Sequence, residues 1–234
     1  MADEEFDYTG RDNLEVMADA KNYNAFLIDE VRRSIGGVAE PRVLDFGAGA
    51  GTYARMLRDT GITAECLEPD ATLQVAIRSS GLTAVPNDDD VPDESYDLVY
   101  SLNVFEHIED DASAARTVFA KLRPGGILLL YVPAFMLLFS SMDTKVGHFR
   151  RYRKKPLVDM LQRAGFDVCS ARYCDPLGFF AALLFRFVGN QSGDLNPLMI
   201  KIFDRVVFPI SRILERVTGP FFGKNVLVVA RKPN

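Results

Sequence analysis

The stretch VLDFGAGAGTYARML, residues 43–57, constrains the fold more than any other part of this 234-residue chain. An apolar run with strand character leads into three glycines at alternate positions, and a helical pattern follows directly. Gly47, Gly49 and Gly51 allow a sharp turn and let the backbone approach a ligand without side-chain obstruction. A helix that starts behind such a turn presents free N–H groups. The stretch therefore predicts a strand, loop and helix of an α/β fold, with a ligand at the loop.

Elsewhere in the chain, apolar strand-like runs alternate with helical patterns, which is typical of a largely parallel sheet with crossover helices. Turn and capping residues separate the segments. The predicted strands are 42–46, 63–68, 83–85, 96–102, 125–133, 166–174 and 225–232, and the predicted helices run from the N-cap Thr52 to Arg58, after Asp70, over about 110–122, and from Pro156 to just before Gly165.

The chain is expected to form one domain, 1–234, because no internal repeat or low-complexity linker interrupts it. A helical segment over about 13–35 belongs to an N-terminal cover, and a long apolar, helix-like insert precedes the last strand. The predicted parts are the cover at 1–40, the ligand-binding core at 41–174, the insert at 175–224 and the last strand at 225–234.

The composition, with 48% hydrophobic and 11% aromatic residues, is that of a folded chain. Three widely spaced cysteines without a CxxC pair argue against disulfides and zinc, and fit a reducing cytoplasm. The acidic start MADEEFDYTG has no apolar core and predicts no signal peptide. Apolar runs at 127–139 and 178–189 are shorter than the roughly 18–20 residues of a spanning helix. The second run, which contains Arg186, is compatible with a helix lying on the inner face of a membrane.

Acidic side chains stand where the predicted strands end. Asp45 precedes the first glycine by two residues, and a carboxylate there suits a ligand with positive charge better than a pyrophosphate. A dinucleotide fingerprint would require glycine in place of Thr52. Glu68 ends the second strand, where an acid accepts hydrogen bonds from both ribose hydroxyls. Asn87 or Asp88, after the third strand, is placed to receive an adenine amino group.

Through these motifs the chain resembles class I S-adenosylmethionine-dependent methyltransferases. Four segments within residues 42–133 carry the resemblance: VLDFGAGAGTYARML, LEPD, SYDLVYSLNVFEHIEDD and LRPGGILLLYVP. The resemblance implies an α/β, Rossmann-like fold with a mostly parallel seven-stranded sheet, helices on both faces and an antiparallel last strand. It also implies an enzyme that uses S-adenosyl-L-methionine and releases S-adenosyl-L-homocysteine.

The same resemblance assigns a cofactor site residue by residue. It implies that Asp45 and the glycine loop hold the methionine portion, that Glu68 holds the ribose, and that Asn87 or Asp88 holds the adenine. The implied cofactor contacts are Asp45, Gly47, Ala48, Gly49, Gly51, Glu68, Pro69, Asp70, Asn87, Asp88, Asn103 and Val104, the last two at the floor of the site.

The two histidines of the chain, His107 and His148, are the candidate bases. A sulfonium methyl group is already activated, so the enzyme mainly aligns the reactants, and a base is needed only when the acceptor must lose a proton. His107 lies in NVFEHIEDD, which resembles ubiquinone-type O-methyltransferases with their E-x-x-E-H metal arrangement. Asn103 replaces the first acid, so no metal is expected. Alternatively, Glu106 and His107 form a helix-start pair with local hydrogen bonds.

The stretch KVGHFRRYRKK, residues 145–155, concentrates positive charge in a chain whose net charge is −5. It resembles a methyltransferase subgroup with a G-H-x-R-R-Y segment, whose members often act on envelope saccharides, lipids or isoprenoid-like acceptors. Nucleic acid is disfavoured because no second basic stripe accompanies the stretch. A solvated loop, and pairing with Asp143 or the acids of 88–97, remain open. We expect an anionic or amphiphilic acceptor, with His148, His107 and Tyr152 as catalytic candidates, Arg150, Arg151, Tyr152 and Asp143 as acceptor contacts, and Lys154 and Lys155 on the surface.

The apolar insert is interpreted in two ways: a lid or homodimer face, or a tunnel or membrane-facing surface for a long acyl or prenyl chain. The predicted function is O-methylation, or else N- or C-methylation, of a small-molecule, lipid or saccharide acceptor. The alternatives are the same chemistry on a soluble sugar or secondary metabolite, and a non-catalytic cofactor-binding partner of a membrane biosynthetic complex.

Overall fold

A computed structural model of the protein describes residues 10–188 and 192–234, so the acidic start lies largely outside the described residues. Its centre is one seven-stranded sheet in the order β3-β2-β1-β4-β5-β7-β6. Strand β7 runs antiparallel to β5 and β6, and the other neighbours are parallel, as predicted. The strands are β1 Val43–Phe46, β2 Ala64–Leu67, β3 Ala84–Val85, β4 Tyr96–Leu102, β5 Leu122–Pro133, β6 Asp167–Cys174 and β7 Asn225–Arg231.

Helices cover both faces of the sheet. A π-helical turn, Phe203–Val207, joins the ninth helix to the tenth, and a 3-10 turn, Phe105–His107, follows β4. None of the helices in the described ranges is long and apolar enough to cross a membrane. The helices are α1 Arg11–Ala18, α2 Lys21–Ile35, α3 Thr52–Arg58, α4 Ala71–Ser79, α5 Asp111–Lys121, α6 Ser141–Lys145, α7 Lys154–Arg163, α8 Pro176–Val188, α9 Pro197–Ile202 and α10 Phe208–Thr218.

Strand β5 shows why the sheet needs helices on both sides. Leu128 and Leu130 belong to the apolar core on one face, and Leu129 and Tyr131 belong to the core on the other. All four side chains are fully buried. A strand that is apolar at consecutive positions is typical of a parallel sheet with both faces covered.

Two predicted helix starts differ from the structure. Thr52 is the first helical residue of α3, and the N-cap is Gly51 in the left-handed region with φ 73°. Helix α7 starts at Lys154, two residues before Pro156, since proline is tolerated in the first turn of a helix. In contrast, α4 begins after Asp70 as predicted. The Asp70 side chain caps this helix by accepting a hydrogen bond from the Leu73 amide at 3.0 Å.

The single helix predicted over 13–35 is two helices, because the chain turns after Ala18 and α2 starts again at Lys21. Ala20, at the N-cap of α2, has no side-chain acceptor, and the cap comes from the insert instead. Asp204 accepts hydrogen bonds from the amides of Asn22 at 3.0 Å and Tyr23 at 2.8 Å. The insert therefore completes the first turn of the N-terminal cover.

Candidate active site

The glycine loop lies at the point where the strand order reverses, between β1 and β4. Open α/β sheets bind ligands in the crevice at this point. The amides of Gly47 and Ala48 both donate to the Leu67 carbonyl, at 2.9 and 3.0 Å, so the loop is fixed to the end of β2. Gly47 has φ 81°, and a Cβ built on it would lie 2.4 Å from Cγ1 of Val104. Val104, just after β4, therefore packs directly against the loop backbone, as expected for the floor of a site.

Two carboxyl groups lie at the neighbouring strand ends. Asp45 is buried and accepts a hydrogen bond from the Tyr100 hydroxyl at 2.9 Å; burial raises its pKa to about 8, against the lowering effect of that bond. Glu68 accepts from the amides of Gly49 at 2.7 Å and Asp70 at 3.0 Å, and burial raises its pKa. These backbone bonds hold the Glu68 carboxylate at the end of β2 and leave lone pairs for further donors.

The other predicted cofactor residues differ in their placement. Asp70 pairs with Arg11 at 2.7 Å, so it connects the N-terminal cover to the site. Asn103 has a positive φ of 57°, and its side-chain amide donates to the Tyr23 hydroxyl at 3.2 Å. Asn87 and Asp88 are exposed in the turn after β3, at the rim of the site. The structure thus brings Asp45, the glycine loop, Glu68 and Val104 together.

This arrangement fits S-adenosyl-L-methionine. A loop of glycine and alanine leaves its backbone accessible, and a buried carboxyl beside it suits the positive charge of the ligand. Glu68, on the adjacent strand, is placed to accept hydrogen bonds from ribose hydroxyls. When bound, this cofactor supplies an activated methyl group.

A cluster of polar side chains follows β4 and β5. Asp143 and His148 form its centre, with His148 Nδ1 at 2.6 Å from Asp143 Oδ1. Arg151 donates to Asp143 from Nε at 2.7 Å and from Nη2 at 2.9 Å. Burial raises the Asp143 pKa, but the hydrogen bonds from His148 and Arg151 outweigh this and hold it at about 2. Asp143 therefore holds the Nδ1 side of the His148 ring.

His107 and Glu106 complete this cluster from the turn after β4. The rings of His107 and His148 meet edge to face with centroids 4.5 Å apart. Burial lowers the His107 pKa to about 3, so its imidazole is neutral. Glu106 is fully buried, and burial raises its pKa to about 8. The expected local hydrogen bonds of a helix-start pair are not found on the Glu106 carboxylate within the described residues.

Other residues of the G-H-x-R-R-Y segment have internal partners. The Tyr152 hydroxyl is bonded to the Phe105 carbonyl at 3.0 Å and to Asp111 at 2.8 Å. Arg150 also pairs with Asp111, at 2.9 Å, and remains half-exposed. Arg151 and Asp143 are buried against each other. This geometry favours a positioning role for Tyr152, Arg151 and Asp143 rather than the predicted acceptor or catalytic contacts, and it leaves Arg150 at the surface.

The two lysines expected at the surface have different environments. Lys155 is exposed and pairs with Asp159 at 2.8 Å. Lys154 is half-buried and donates to the Pro220 carbonyl at 2.9 Å, so it contacts the insert. Several cations of 145–155 are therefore paired within the protein. Among them, Arg151 pairs with Asp143, which the sequence analysis left open as an alternative to acceptor binding.

Sequence reasoning named Glu106 only as the partner of His107 in the E-x-x-E-H-like stretch and did not list it among the site residues. Asp143 was named as an acceptor contact, whereas the structure makes it the carboxylate that orients His148. His148 lies five residues further on, beyond the end of α6, so no helical spacing pointed to this pair.

Comparison with known proteins shows the family. Residues 11–171 match the family described as a methyltransferase domain, and the chain belongs to this family. Its relatives include S-adenosylmethionine-dependent methyltransferases, which are enzymes with S-adenosyl-L-methionine as cofactor.

Two curated relatives show how far the likeness reaches. A probable S-adenosylmethionine-dependent methyltransferase of Mycolicibacterium smegmatis is 32% identical over 137 residues, which are 54% of this chain and 52% of the relative. A ubiquinone biosynthesis O-methyltransferase of Pseudomonas fluorescens is 31% identical over 101 residues, covering 38% of this chain and 43% of the relative. The chain thus spans about half the length of the curated relatives that it matches.

Solved structures agree in fold. An S-adenosylmethionine-dependent methyltransferase from Archaeoglobus fulgidus has a TM-score of 0.57 and 17% identity, covering 89% of this chain and 94% of its own. Phosphoethanolamine N-methyltransferase 2 of Haemonchus contortus, solved with S-adenosyl-L-methionine, has a TM-score of 0.61 and 16% identity, covering 94% of this chain and 57% of its own. At these identities the likeness concerns the fold alone.

Proposed function

We propose that the protein transfers the methyl group of S-adenosyl-L-methionine to a hydroxyl oxygen of an amphiphilic or anionic acceptor at a membrane surface. The observation that carries the proposal is the hydrogen bond between Asp143 and His148, which lie beside the turn Phe105–His107 that follows β4. The first residues after β4, Asn103 and Val104, lead into this turn, and Val104 contacts the glycine loop. One short segment therefore connects the cofactor loop to the histidines.

O-methylation requires that the hydroxyl lose its proton. The acceptor oxygen forms a bond to the methyl carbon, the carbon–sulfur bond breaks with its electron pair remaining on sulfur, and the hydroxyl proton leaves to a base or to solvent. Because Asp143 occupies Nδ1 of His148, Nε2 is the ring atom that serves the acceptor. Glu106 lies on that side of the ring, and the His107 ring meets it edge to face.

The insert supports an acceptor delivered by a membrane, because its helices carry apolar residues on their outer sides. On α8, Phe180, Leu184 and Phe187 are exposed at helical spacing, and Phe187 is 73% exposed. Helix α10 repeats the pattern with Ile210, Ile213, Leu214 and Val217, and Val217 is 74% exposed; Leu198, Met199, Ile202 and Val206 continue it on α9 and the π turn. Exposed apolar stripes of this kind mark surfaces that contact a partner or lipid.

The charge beside these stripes favours an anionic bilayer as the partner. Arg205 and Arg216 are exposed, and Lys201 is exposed next to Asp19. The two acids within 197–218, Asp204 and Glu215, are buried and have partners in the interior. An amphipathic surface with cations around an apolar stripe binds in the interface of anionic lipids.

The first experiment tests the cofactor site by calorimetry with S-adenosyl-L-homocysteine. We expect the Asp45→Ala variant to lose binding, since the buried carboxyl next to the glycine loop is removed. The Lys155→Ala variant changes an exposed residue away from the site and should bind like the parent. If Asp45→Ala binds as tightly as the parent, the pocket assignment is wrong.

The second experiment measures transfer. Purified protein is incubated with methyl-labelled cofactor and an extract of the source cells, and the products are separated into organic and aqueous phases. Label in the organic phase is expected, and a His148→Ala variant should lose transfer while it still binds S-adenosyl-L-homocysteine. Label in the aqueous phase would instead indicate a soluble sugar or metabolite. No label from a cofactor-binding protein would favour the non-catalytic alternative.

The membrane surface is tested by flotation with vesicles. The parent should float with mixed phosphatidylcholine–phosphatidylglycerol vesicles and less with phosphatidylcholine alone. Replacing Phe180, Leu184 and Phe187 by serine should abolish flotation. Val75→Ser is the matched control, because Val75 is 61% exposed on α4, away from the insert. Equal flotation of both variants, or none by the parent, would contradict the membrane part of the proposal.

A further inference from the structure

Glu106 is the acidic side chain of the polar cluster whose carboxyl group lacks partners. It is fully buried, and neither carboxylate oxygen has a hydrogen-bond partner among the described residues. Its backbone is fixed, since the Glu106 carbonyl accepts from the Phe149 amide at 2.8 Å. A buried carboxylate without a donor is costly, and such a group in a folded protein indicates a missing proton, water or ion.

A ring nitrogen of His148 faces Glu106. His148 Nε2 lies 3.7 Å from Glu106 Oε1, too far for a direct hydrogen bond. Because Nδ1 of the same ring is bonded to Asp143, Nε2 is the ring atom left for a ligand. The gap between this nitrogen and the carboxylate oxygen suits a cation.

His107 supplies a third donor atom to the same space. One ligand atom from each of Glu106, His107 and His148 lies within 4.8 Å of the others. The His107 ring also has hydrogen bonds to the backbone of Val146 and Gly147. Metal-binding histidines commonly donate their second N–H to a backbone carbonyl or a carboxylate, and both histidines here have such a partner.

We infer that Glu106, His107 and His148 bind one divalent transition metal ion of the Zn²⁺ type. Two ligands at about 2.0–2.1 Å in a tetrahedral site are roughly 3.4 Å apart, close to the Glu106–His148 separation. Imidazole and carboxylate ligands suit such ions, and three protein ligands leave a fourth position for water or an acceptor oxygen.

The expectation of no metal came from Asn103 alone. The third inferred ligand, His148, comes instead from the G-H-x-R-R-Y segment, which the hydrogen bond from the Phe149 amide to the Glu106 carbonyl holds at the turn after β4. The inference that a metal binds does not rest on the proposed function, but the role of the metal in methyl transfer does. A metal-bound hydroxyl is more acidic, and His148 Nε2 would then act as a metal ligand rather than as the base.

The test is a Zn²⁺ titration of chelator-treated protein without an affinity tag. Cys169 is an exposed free thiol, so all proteins carry Cys169→Ser. We expect one Zn²⁺ per chain with a Kd of about 1 μM or below. Glu106→Gln, His107→Gln and His148→Gln should each weaken binding by about 100-fold or more, and Asp143→Asn by about 10–100-fold. Glu109→Gln, an exposed acid in the same segment, is the control and should bind like the parent.

A second readout separates a metal from a proton on Glu106. Zn²⁺ should raise the melting temperature of the parent and not that of Glu106→Gln. NMR signals of the only two histidines should shift together on addition of one equivalent. Absence of stoichiometric binding by the parent, or binding that Glu106→Gln and His148→Gln leave unchanged, would overturn the inference. All variants should retain S-adenosyl-L-homocysteine binding, so this result is independent of the cofactor pocket.

Discussion

The contact between Gly47 and Val104 allows a quantitative test of how the cofactor loop is built. Gly47 has a φ of 81°, and an added Cβ would lie 2.4 and 2.6 Å from the two γ-carbons of Val104. Gly47→Ala therefore introduces two separate costs: a left-handed backbone for a residue with a side chain, and an overlap with Val104. Only the second cost depends on Val104.

The two costs are estimated separately. A non-glycine residue in the left-handed region costs about 1–2 kcal/mol, and overpacking by one methyl group costs about 1–3 kcal/mol. The single variant should thus lose about 2–5 kcal/mol of unfolding free energy. Val104→Ala removes both γ-carbons and leaves Val104 Cβ at 3.1 Å from the new methyl group. In the double variant the overlap is largely relieved, so about 1–3 kcal/mol of the single-variant cost should disappear.

Urea unfolding of the parent, both single variants and the double variant forms a double-mutant cycle. The double variant should be more stable than the sum of the two losses predicts, by the relieved overlap. Calorimetry with S-adenosyl-L-homocysteine should show weaker binding for Gly47→Ala, because Val104 is displaced from the site floor. Losses that add within about 0.5 kcal/mol would refute the reasoning, since independent sites behave in that way.

Three further predictions concern buried polar groups. Burial raises the Asp45 pKa to about 8, so the folded parent without cofactor should lose stability as the pH rises from about 4 to 8. Thermal melts of Asp45→Asn should lack this loss and show higher stability near pH 8. Asp204→Ala removes the acceptor of two amides in α2 and should cost about 1–2 kcal/mol in urea unfolding, whereas Asp159→Ala, at a half-exposed acid paired with exposed Lys155, should cost little. Arg172→Met removes the cation that joins Glu30 to Glu215; because Arg33 and Arg212 still pair with these acids, it should cost only about 1 kcal/mol in the same assay.

The sheet and the cofactor loop were predictable because their signals are local. A run of consecutive apolar residues predicts a buried strand such as β5, and glycines at every second position after β1 predict the loop. Glu68 follows in the same way, because it directly ends its strand. The break between α1 and α2 was missed because 13–35 reads as one helical pattern.

The histidine cluster was only partly predictable, because its contacts join distant segments. The sequence suggested each histidine alone, but not that the Phe149 amide would bind the Glu106 carbonyl and bring the rings together. Arginine side chains are usually exposed, so the burial of Arg151 was not expected. It is buried because it pairs with Asp143, and the sequence does not show that these two residues meet. Such pairings depend on three-dimensional packing rather than on periodicity.

The cap that Asp204 provides to α2 has a consequence for synthesis of the chain. The two partners are separated by up to 182 positions, so α2 leaves the ribosome long before its first turn finds an acceptor. Strand β6 is in a similar position, because its neighbour in the sheet, β7, is made only after the insert. The nascent chain therefore carries an uncapped helix and an unpaired strand until the insert and β7 have been made. Chains stalled before residue 204 should leave the amides of Asn22 and Tyr23 open to hydrogen exchange, and release of the full chain should protect them.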